Sequence, residues 1–430
     1  MKSLEYIAAA LEGYDPQALP AHTVNAFLTQ LVPTPTRTET IPLLQALGRV
    51  LADDVICPIN VPDHDNSAMD GYAFDGRQLR ANAPLSLRVV GTARAGAAYG
   101  GTVGAGQCVK IMTGAVMPAG LDTVVPQELV TAGDGAVTLA PGVVGCGDNR
   151  RFAGEDLRRG SAALTRGARI TPAALGLIAS LGLAEVRVFA RLRVAYFSTG
   201  DEILSLGEAP REGAVFDSNR YTVFGMLQRM GIDVLDLGVV PDQPAALEAA
   251  FSRAAREADA TITSGGVSVG EADHTKAMMR KLACSAPDGS GGGVVFWRIA
   301  MRPGRPMAVG RIGHKPLFGL PGNPVAVMVT FLAFVRPALW QMMGADANEP
   351  PLLQARSSEA IRKKPGRTEY QRAIVSSDSA GALTVRTTGQ QGSGVLRSMV
   401  QANGLLVLAH DQGNIQVGDT VSVMLFDGVM

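Results

Sequence analysis

Hydrophobic and polar positions follow their clearest rhythm between residues 192 and 345. Short apolar runs, such as RVAYF, IDVLDLG, ATIT and PLFGL, alternate there with longer segments, such as AALEAAFSRAAREA. The short runs predict buried strands, and the longer segments predict helices. Strands that alternate with helices are typical of a mostly parallel sheet covered on both faces, and such sheets bind ligands at the carboxyl ends of their strands.

Two helices of this region have recognisable beginnings. Residues 218–231 predict a helix whose N-cap is Ser218 or Asn219, because both side chains can accept a hydrogen bond from a free backbone amide. The segment LPGNPVAV predicts a second helix, in which Asn323 is the cap and Pro324 takes the first helical position.

The rest of the chain follows a different pattern. From about residue 60 to 155, short β-like pieces such as LSLRVVGTARAG and DTVVPQELV are separated by glycine and proline, which predicts a small all-β unit. Residues 160–190 hold one predicted helix, which starts at Thr171 and Pro172, and AHTVNAFLTQLVP (21–33) predicts another. Segments such as EYQRAIVSS and GLLVLAHD predict a C-terminal β-barrel or sandwich.

Length and charge limit the class of protein. The 430 residues suggest about three domains. Lys+Arg and Asp+Glu both number 39, so we expect neither a nucleic-acid partner nor a membrane partner. The cysteines are far apart and form no CxxC pair, which indicates neither a zinc site nor a disulfide framework. They are Cys57, Cys108, Cys146 and Cys284.

The distribution of apolar residues predicts a cytoplasmic protein. The longest apolar run, at 325–335, is shorter than the roughly 20 residues that cross a bilayer, and it fits a buried helix. The N-terminal segment MKSLEYIAAALEGYD has acids where a signal peptide needs an apolar core.

Three loops at the predicted sheet edge are candidates for anion binding. TSGGVSVGEADHTK (263–276) follows a buried strand, and its backbone N–H groups could surround a phosphate, although an arbitrary glycine-rich loop is more often a flexible turn. Asp273 and Lys276 in this loop favour phosphate or metal–phosphate chemistry. STGDEI brings Glu202 to the same edge, and the LPGNP turn exposes further backbone amides. Together the three loops predict an anionic-ligand site.

An arginine cluster follows in FWRIAMRPGRP (296–306). Arg298, Arg302 and Arg305 lie around Pro-Gly turns, and guanidinium groups bind phosphate and other oxyanions with two hydrogen bonds at once. A surface salt-bridge cluster explains the three residues equally well when they are taken alone.

Carboxylates outside this region could complete the site. DNSAMDGYAF contains Asp65 and Asp70, KIMTGAVMPAG contains Thr113, and RFAGEDLRRG contains Glu155 and Asp156. Carboxylates near a phosphate site commonly hold Mg²⁺. For DNSAMDGYAF alone, a solvated turn is the simpler interpretation.

Seven motifs follow one another along the chain in the order DNSAMDGYA, KIMTGAVMP, AGED, STGDE, TSGGVSVGEADHTK, MRPGRPM and LPGNPVAV. Together they closely resemble the molybdopterin molybdenumtransferase family. That family includes bacterial MoeA proteins and the E domain of gephyrin. The resemblance implies insertion of molybdate into the dithiolene of adenylylated molybdopterin, with Mg²⁺-dependent cleavage of the pyrophosphate bond and release of AMP. It also implies a homodimer whose active cleft combines the α/β domain of one subunit with the inserted β domain of the other.

The resemblance further implies a multidomain α/β and β fold with four parts. These are a connecting domain (20–60 and 160–190), an inserted β domain (61–159), a molybdopterin-binding α/β domain (191–348) and a C-terminal β-barrel (349–430). We expect the helix near 21–33 to pack on the α/β domain.

Roles can be carried over from the family residue by residue. The residues that match positions important for activity are Asp65, Thr113, Asp156, Glu202, Asp242 and Asp273. Glu202, Asp242 and Asp273 are the candidate Mg²⁺ ligands. The residues expected to bind the cofactor precursor are Ser264, Gly265, Gly266, Ser268, Gly270, Lys276, Arg298, Arg302, Pro321, Gly322, Asn323 and Pro324.

Some positions depart from the family or match it loosely. Arg298 and Arg302 stand where family members often have lysine, so the charge is kept while the hydrogen-bonding geometry changes. In the C-terminal domain, Arg372 and Ser398 are expected to reach the cleft. Asp65 is the candidate for chemistry in DNSAMDGYAF, whereas Asp70 is expected to shape the turn.

Two other functions are compatible with the same fold. One is a molybdopterin carrier or scaffold without catalysis, although a carrier does not need the set of acids. The other is a nucleotide-cleaving hydrolase built on the same sheet, which the additional β domains disfavour. A molybdopterin adenylyltransferase and downstream cofactor-handling proteins are the expected protein partners.

Overall fold

The computed structural model describes residues 4–9, 15, 18–266, 275, 277–278, 281, 293–346, 351–427 and 430. The helices are α1 (Leu4–Ala9), α2 (Ala21–Leu31), α3 (Pro172–Ser180), α4 (Ser218–Arg229), α5 (Pro244–Glu257), α6 (Pro324–Met342) and α7 (Arg397–Gln401). Short 3₁₀ turns lie at Leu43–Gln45, Gly76–Gln78 and Gln127–Leu129.

The strands run through every part of the described chain. Up to the end of the inserted domain they are β1 (Thr38–Pro42), β2 (Val55–Ile56), β3 (Asn66–Ser67), β4 (Gly71–Phe74), β5 (Leu85–Ala93), β6 (Gln107–Ile111), β7 (Thr123–Pro126), β8 (Val130–Gly133), β9 (Ala136–Leu139) and β10 (Arg150–Arg151). They continue as β11 (Ala162–Leu164), β12 (Glu185–Phe189), β13 (Arg193–Thr199), β14 (Ile203–Leu204), β15 (Val215–Phe216), β16 (Asp233–Val240), β17 (Ala260–Ser264), β18 (Gly293–Arg298), β19 (Met301–Arg302), β20 (Pro306–Ile312), β21 (Lys315–Leu320), β22 (Leu353–Ser357), β23 (Thr368–Ser377), β24 (Leu383–Thr387), β25 (Gly404–Leu408) and β26 (Thr420–Leu425).

The α/β domain is built on a six-stranded mixed sheet with the order β16-β13-β17-β21-β20-β18. The first four strands are parallel, whereas β20 pairs antiparallel with β21 and with β18. The prediction of an α/β domain is confirmed. The carboxyl ends of β13, β17 and β21 lie side by side, so the three loops predicted to bind anions share one edge of the sheet.

The helix caps differ in detail from the sequence-based expectation. The N-cap of α4 is Asp217, whose carboxylate accepts a hydrogen bond of 3.1 Å from the Arg220 amide, so the prediction of Ser218 or Asn219 was wrong by one position or two. Asp217 is favoured over Ser218 and Asn219 as the N-cap because its short acidic side chain also complements the helix dipole. Asn323 is the N-cap residue of α6 and Pro324 its first helical residue, as predicted, but the Asn323 side chain makes no capping hydrogen bond.

Helix α6 is the apolar core helix of the α/β domain. Its length and composition would allow it to cross a membrane, but 78% of its apolar 18-residue stretch is buried inside the protein, which is typical of a core helix. A π-helical turn spans Phe331–Val335 and ends two residues before Pro337. A proline within a helix lacks one N–H and crowds the preceding turn, and this accounts for the local widening.

Helix α2 packs on the α/β domain. Phe27 meets Trp297 of β18 edge to face, with ring centroids 4.6 Å apart. The Arg311 guanidinium of β20 donates a hydrogen bond to the Leu31 carbonyl at the end of the helix. The buried side chains of α2 therefore belong to the same hydrophobic core as the sheet.

The inserted domain is nested within the connecting domain, whose strands lie before and after it in the chain. Strands β1 and β12 pair, β2 pairs with β11, and α3 packs beside them, with Thr171 Oγ1 accepting a 3.2 Å hydrogen bond from the Ala174 amide, as predicted for a helix that starts at Thr171 and Pro172. The inserted domain is a six-stranded sheet with the order β7-β4-β6-β5-β9-β8. Because Ala73 and its neighbour Phe74 belong to different core clusters, both faces of this sheet are covered.

The C-terminal domain is a closed barrel. Strands β23, β24, β22, β26 and β25 pair in a circle, which closes through β23 and β25. The expected barrel is confirmed, and β22 is an additional strand that the sequence pattern did not indicate. Strand β19, which belongs to the MRPGRP segment of the α/β domain, pairs in parallel with β23. This pairing brings the arginine cluster to the barrel.

Candidate functional site

A cavity of about 940 Å³ opens at the carboxyl edge of the α/β sheet. It lies between the loops that follow β13, β17 and β21 on one side and the barrel on the other. Its walls include Thr199, Gly200, Asp201, Glu202, Asp242, Gly265, Gly266, Arg302, Arg305, Pro321, Gly322, Asn323, Arg367, Gln391, Gly392 and Ser393. The structure thus brings together nine of the residues selected from the sequence, which are Glu202, Asp242, Gly265, Gly266, Arg302, Arg305, Pro321, Gly322 and Asn323.

One wall of the cavity carries carboxylates. Glu202 is exposed, and Asp242 is half-buried and accepts a 3.1 Å hydrogen bond from the Thr275 hydroxyl. Asp201 lies beside Asp242, whose amide is 3.4 Å from an Asp201 carboxylate oxygen. Within the described ranges no group of three or more His, Cys, Asp or Glu side chains is close enough to hold a metal ion by itself. Asp273, the third predicted metal ligand, lies outside the described residues.

The glycine turn after β17 is held from below by buried hydroxyl groups. Ser264 is buried, and its Oγ lies 2.6 Å from the Tyr196 hydroxyl and 3.2 Å from Ser198 Oγ. Gly265 and Gly266 then have φ values of +87° and +65°, which favour glycine. Ser264 therefore supports the turn from inside and is not part of the cavity wall. Ser268, Gly270 and Lys276 lie outside the described residues.

The LPGNP loop connects the sheet with the barrel. The Gly322 carbonyl accepts a 2.7 Å hydrogen bond from the Asn219 side-chain amide, so α4 fixes the turn. One residue after Pro324, the Val325 amide donates a 3.1 Å hydrogen bond to the Ser393 carbonyl of the barrel. Asn323 is exposed at the cavity, and its side-chain amide is available for a ligand because it does not cap the helix.

The opposite wall carries arginines. Arg302 and Arg305 are exposed at the cavity, and Arg367 contributes from the barrel while it forms a 2.7 Å ion pair with the buried Glu369. Arg298 does not line this cavity. It lines a smaller adjoining cavity of about 230 Å³, which Arg305 and Arg367 share. Anions in the main cavity therefore face a positive wall and a carboxylate wall at the same time.

Arg372 and Ser398 support the cavity from inside the barrel. The Arg372 guanidinium donates to Ser398 Oγ at 2.9 Å and to the Gln390 and Gly392 carbonyls at 3.2 and 2.9 Å. Burial, and to a smaller extent the nearby charge of Arg302, lowers the pKa of Arg372 to about 10. Neither Arg372 nor Ser398 lines the cavity, but together they shape the loop that does.

The barrel contributes to the cavity residues that no sequence motif indicates. These are Arg367 and the loop residues Gln391, Gly392 and Ser393. The polar, glycine-rich stretch TGQQGSG was the available signal. It has no distinguishing motif, and its position beside the LPGNP loop depends on how the barrel packs.

The three candidates on the inserted domain lie away from the cavity of their own chain. The Asp65 carboxylate is held by the Arg150 guanidinium, at 2.9 Å from Nε, and by the Ala153 amide at 2.7 Å. Thr113 is exposed, and its amide and hydroxyl donate to Asp70 Oδ1 at 2.7 and 2.8 Å. Asp156 is exposed at the end of the same region. Both aspartates of DNSAMDGYAF therefore hold turns.

Comparison with known proteins gives the chain its family. Residues 19–182 match the model of the MoeA N-terminal region (domain I and II), residues 195–341 match a "Probable molybdopterin binding domain", and residues 354–426 match the MoeA C-terminal region (domain IV). Among curated proteins, the chain is 40% identical to the molybdopterin molybdenumtransferase of Haemophilus influenzae, over 94% of this chain and 97% of that protein. It is 33% identical to the protein of the same name from Bacillus subtilis, over 90% of each chain.

Solved structures agree with the sequence relatives. The crystal structure of the molybdopterin biosynthesis moeA protein from Pyrococcus horikoshii OT3 has a TM-score of 0.79 at 26% identity and covers 95% of this chain and 100% of its own. The resemblance that the sequence motifs indicated is thereby confirmed. The chain belongs to the molybdopterin molybdenumtransferase family, a transferase family of molybdenum cofactor biosynthesis.

Proposed function

We propose that the protein transfers molybdate into the dithiolene of adenylylated molybdopterin and that the pyrophosphate bond of this substrate is cleaved with release of AMP. The observation that carries the proposal is the two-sided charge of the main cavity. The carboxylates of Asp201, Glu202 and Asp242 follow β13 and β16 at one end of the strand order, and the guanidinium groups of Arg302 and Arg305 precede β20 towards the other end. A substrate that is both phosphorylated and metal-bound needs both kinds of group.

The arginine wall fits the anionic parts of the reactants. Guanidinium groups bind tetrahedral oxyanions and phosphoryl oxygens through parallel N–H donors. The Gly265–Gly266 turn and the Asn323 amide supply neutral donors on the adjacent wall. Together these groups would orient the pyrophosphate and exclude water from part of its surface.

The carboxylate wall fits Mg²⁺. Glu202 and Asp242 offer hard oxygen ligands at the same cavity, and Mg²⁺ is commonly bound by one or two carboxylates together with substrate phosphates. When bound there, Mg²⁺ would offset the charge that develops on the phosphoryl oxygens. The Thr275 hydroxyl, which donates to Asp242 Oδ1, would fix the orientation of that ligand.

The inserted domain completes the proposal through a second subunit. Asp65, Thr113 and Asp156 are absent from the described lining of their own chain's cavity. We propose a cytoplasmic homodimer in which these residues lie at the cavity of the partner subunit. The oligomeric state by light scattering, and a mixed dimer of Glu202→Gln and Asp156→Asn subunits, would test this arrangement. Recovery of one functional cleft in the mixed dimer is the expected result.

The test of the reaction uses adenylylated molybdopterin, Mg²⁺ and molybdate, with AMP release and active cofactor measured together. We expect Glu202→Gln and Asp242→Asn to lower AMP release by about 100-fold or more, which corresponds to about 2.7 kcal/mol in the barrier. Binding of molybdopterin should change little. Glu248→Gln, on the exposed face of α5, is the matched control.

Binding of molybdopterin without molybdate-dependent AMP release from the folded wild-type protein would contradict the enzyme and favour the carrier. The carboxylate wall is evidence against a carrier, because negative charge in the cavity does not increase the affinity for an anionic pterin.

A further inference from the structure

A second concave site lies at the junction of the connecting domain and the α/β domain. Its cavity has a volume of about 230 Å³ and is lined by residues of both domains. Arg49 and Arg169 come from the connecting domain, and Arg191, Arg229 and Trp340 come from the α/β domain. We call this cavity the junction pocket. Among the described residues, it shares none with the main cavity.

The junction pocket is strongly positive. Four of its described lining residues are arginines and none is acidic. Arg49 is buried and is engaged by Glu39 and by the Phe189 carbonyl, whereas Arg169, Arg191 and Arg229 form no ion pair with any carboxylate in the described part of the chain. Their charges are therefore available to an anion.

Two of these arginines contact other residues that line the pocket. The Arg169 guanidinium lies 5.3 Å from the centre of the Trp340 ring, and Arg191 donates a 3.1 Å hydrogen bond to the Gly231 carbonyl just beyond α4. Arg229 is in the last turn of the same helix. Beneath them, the buried side chains of Phe189 and Met230 form the apolar floor of the pocket.

We propose that the junction pocket binds a tetrahedral dianion, either a free oxyanion such as phosphate or sulfate or the phosphate group of a small molecule. Forked guanidinium donors match this shape, and the volume admits one such group with a few waters. The Trp340 face is already covered by Arg169, so recognition rests on the anion and not on a stacked ring. Because the arginines come from two domains, the anion would bridge them and fix the position of the connecting domain.

Tryptophan fluorescence tests the proposal directly. The chain has two tryptophans, and Trp297 is buried against Phe27, away from the pocket. In a Trp297→Phe variant, the emission of Trp340 reports on the junction pocket alone. We expect a saturable change on titration with phosphate or sulfate in Tris-chloride buffer, and no such change with chloride at equal ionic strength.

Three variants separate the junction pocket from other anion sites. Arg229→Ala, which leaves the Arg169–Trp340 contact in place, should weaken phosphate binding by about tenfold, the loss expected for one charge-assisted contact. Arg302→Ala, at the main cavity, should leave the Trp340 response unchanged. Arg253→Ala is the control for charge alone, because Arg253 lies on the exposed face of α5 and pairs with Glu257.

A further titration with AMP identifies the source of the anion. Tighter binding of AMP than of phosphate would identify the phosphate group of a small molecule as the ligand, and equal affinities would identify a free oxyanion. An unchanged response in the folded Arg229→Ala variant would overturn the proposal. The absence of a saturable response of the wild-type pocket up to about 10 mM phosphate would also overturn it, because the Kd would then be weaker than the millimolar range.

Discussion

At the scale of single residues, Asp65 has a structural role in its turn, and the family resemblance also implies a role in chemistry. Its carboxylate is 29% exposed and holds both the Arg150 guanidinium and the Ala153 amide. It therefore organises the segment that carries Asp156. A catalytic contribution of Asp65 would act on top of this structural role.

We expect Asp65→Asn to lower the free energy of unfolding of the inserted domain by about 1 kcal/mol, because the amide keeps an acceptor for Ala153 but loses the charge that Arg150 requires. Urea unfolding measures the change. Asp63→Asn, at an exposed neighbour that pairs with the exposed His64, is the control. Equal stabilities of the two variants would contradict the structural role.

The same carboxylate predicts a dependence on pH. The Ala153 hydrogen bond and the Arg150 charge lower the pKa of Asp65 below its ordinary value of 3.8. A lowered folded-state pKa stabilises the protein above the ordinary value, and this stability is lost as pH falls through the folded value. The wild type should therefore lose its advantage over Asp65→Asn below about pH 4, which unfolding at several pH values would measure.

Arg372 gives a second prediction at this scale. Its guanidinium connects Ser398 with two carbonyls of the cavity loop, and a lysine cannot make these three contacts in the same plane. We expect Arg372→Lys to lower the free energy of unfolding by about 2 kcal/mol. Arg386→Lys, at an exposed position on the neighbouring strand β24, should change it little. Similar losses in both variants would contradict the role of the fork.

At the scale of elements, the turn after β17 requires glycine for a reason the sequence could not give. Gly265 has a positive φ, and a Cβ atom there would lie 2.1 Å from the Thr199 carbonyl oxygen. The two strand ends that carry Thr199 and Gly265 therefore touch through their backbones. Both residues line the main cavity, so the contact fixes the distance between these two parts of its wall.

We expect Gly265→Ala to lower the free energy of unfolding by about 3 kcal/mol or more, because strain at positive φ and a backbone clash add together. Gly96→Ala is a matched control, since Gly96 has φ of +82° but no described atom lies within 4 Å of the point that its Cβ would occupy, and about 1 kcal/mol of strain is expected. Thermal and urea unfolding of both variants measure the difference. A cost at Gly265 no larger than that at Gly96 would contradict the close contact.

At the scale of the whole molecule, the domains differ in how they share their cores. Met399, Leu405 and Met424 of the barrel belong to the same core cluster as the α/β sheet. The side chains of the inserted domain form clusters of their own. The inserted domain also leaves and re-enters the connecting domain at one place, where the Val61 amide bonds to the Leu157 carbonyl at 2.7 Å.

Deletion of the barrel after residue 346 should therefore destabilise the α/β domain, because each large buried side chain that loses its cover costs about 1.5–3 kcal/mol. Replacement of residues 63–155 by a short glycine linker is the control and should leave the unfolding midpoint of the α/β domain nearly unchanged. Calorimetry and dye binding to exposed apolar surface measure both. Equal midpoints in the two deletions would contradict a shared core.

The sequence by itself determined the features that depend on neighbouring residues. The alternation of strands and helices, the glycine turns at strand ends and the start of α6 at Pro324 all follow from local periodicity and backbone preference. The long motifs also determined the family. The N-cap at Asp217 is also a local feature, because this residue directly precedes Ser218, one of the two predicted caps.

Only the tertiary structure decided which distant residues meet. It placed Arg367 and the 391–393 loop across the cavity from Glu202, and it moved Arg298 to an adjoining cavity. It also collected the arginines of the junction pocket from widely separated segments. Such contacts depend on how complete elements pack and on the net balance of burial and charge, which no local pattern encodes.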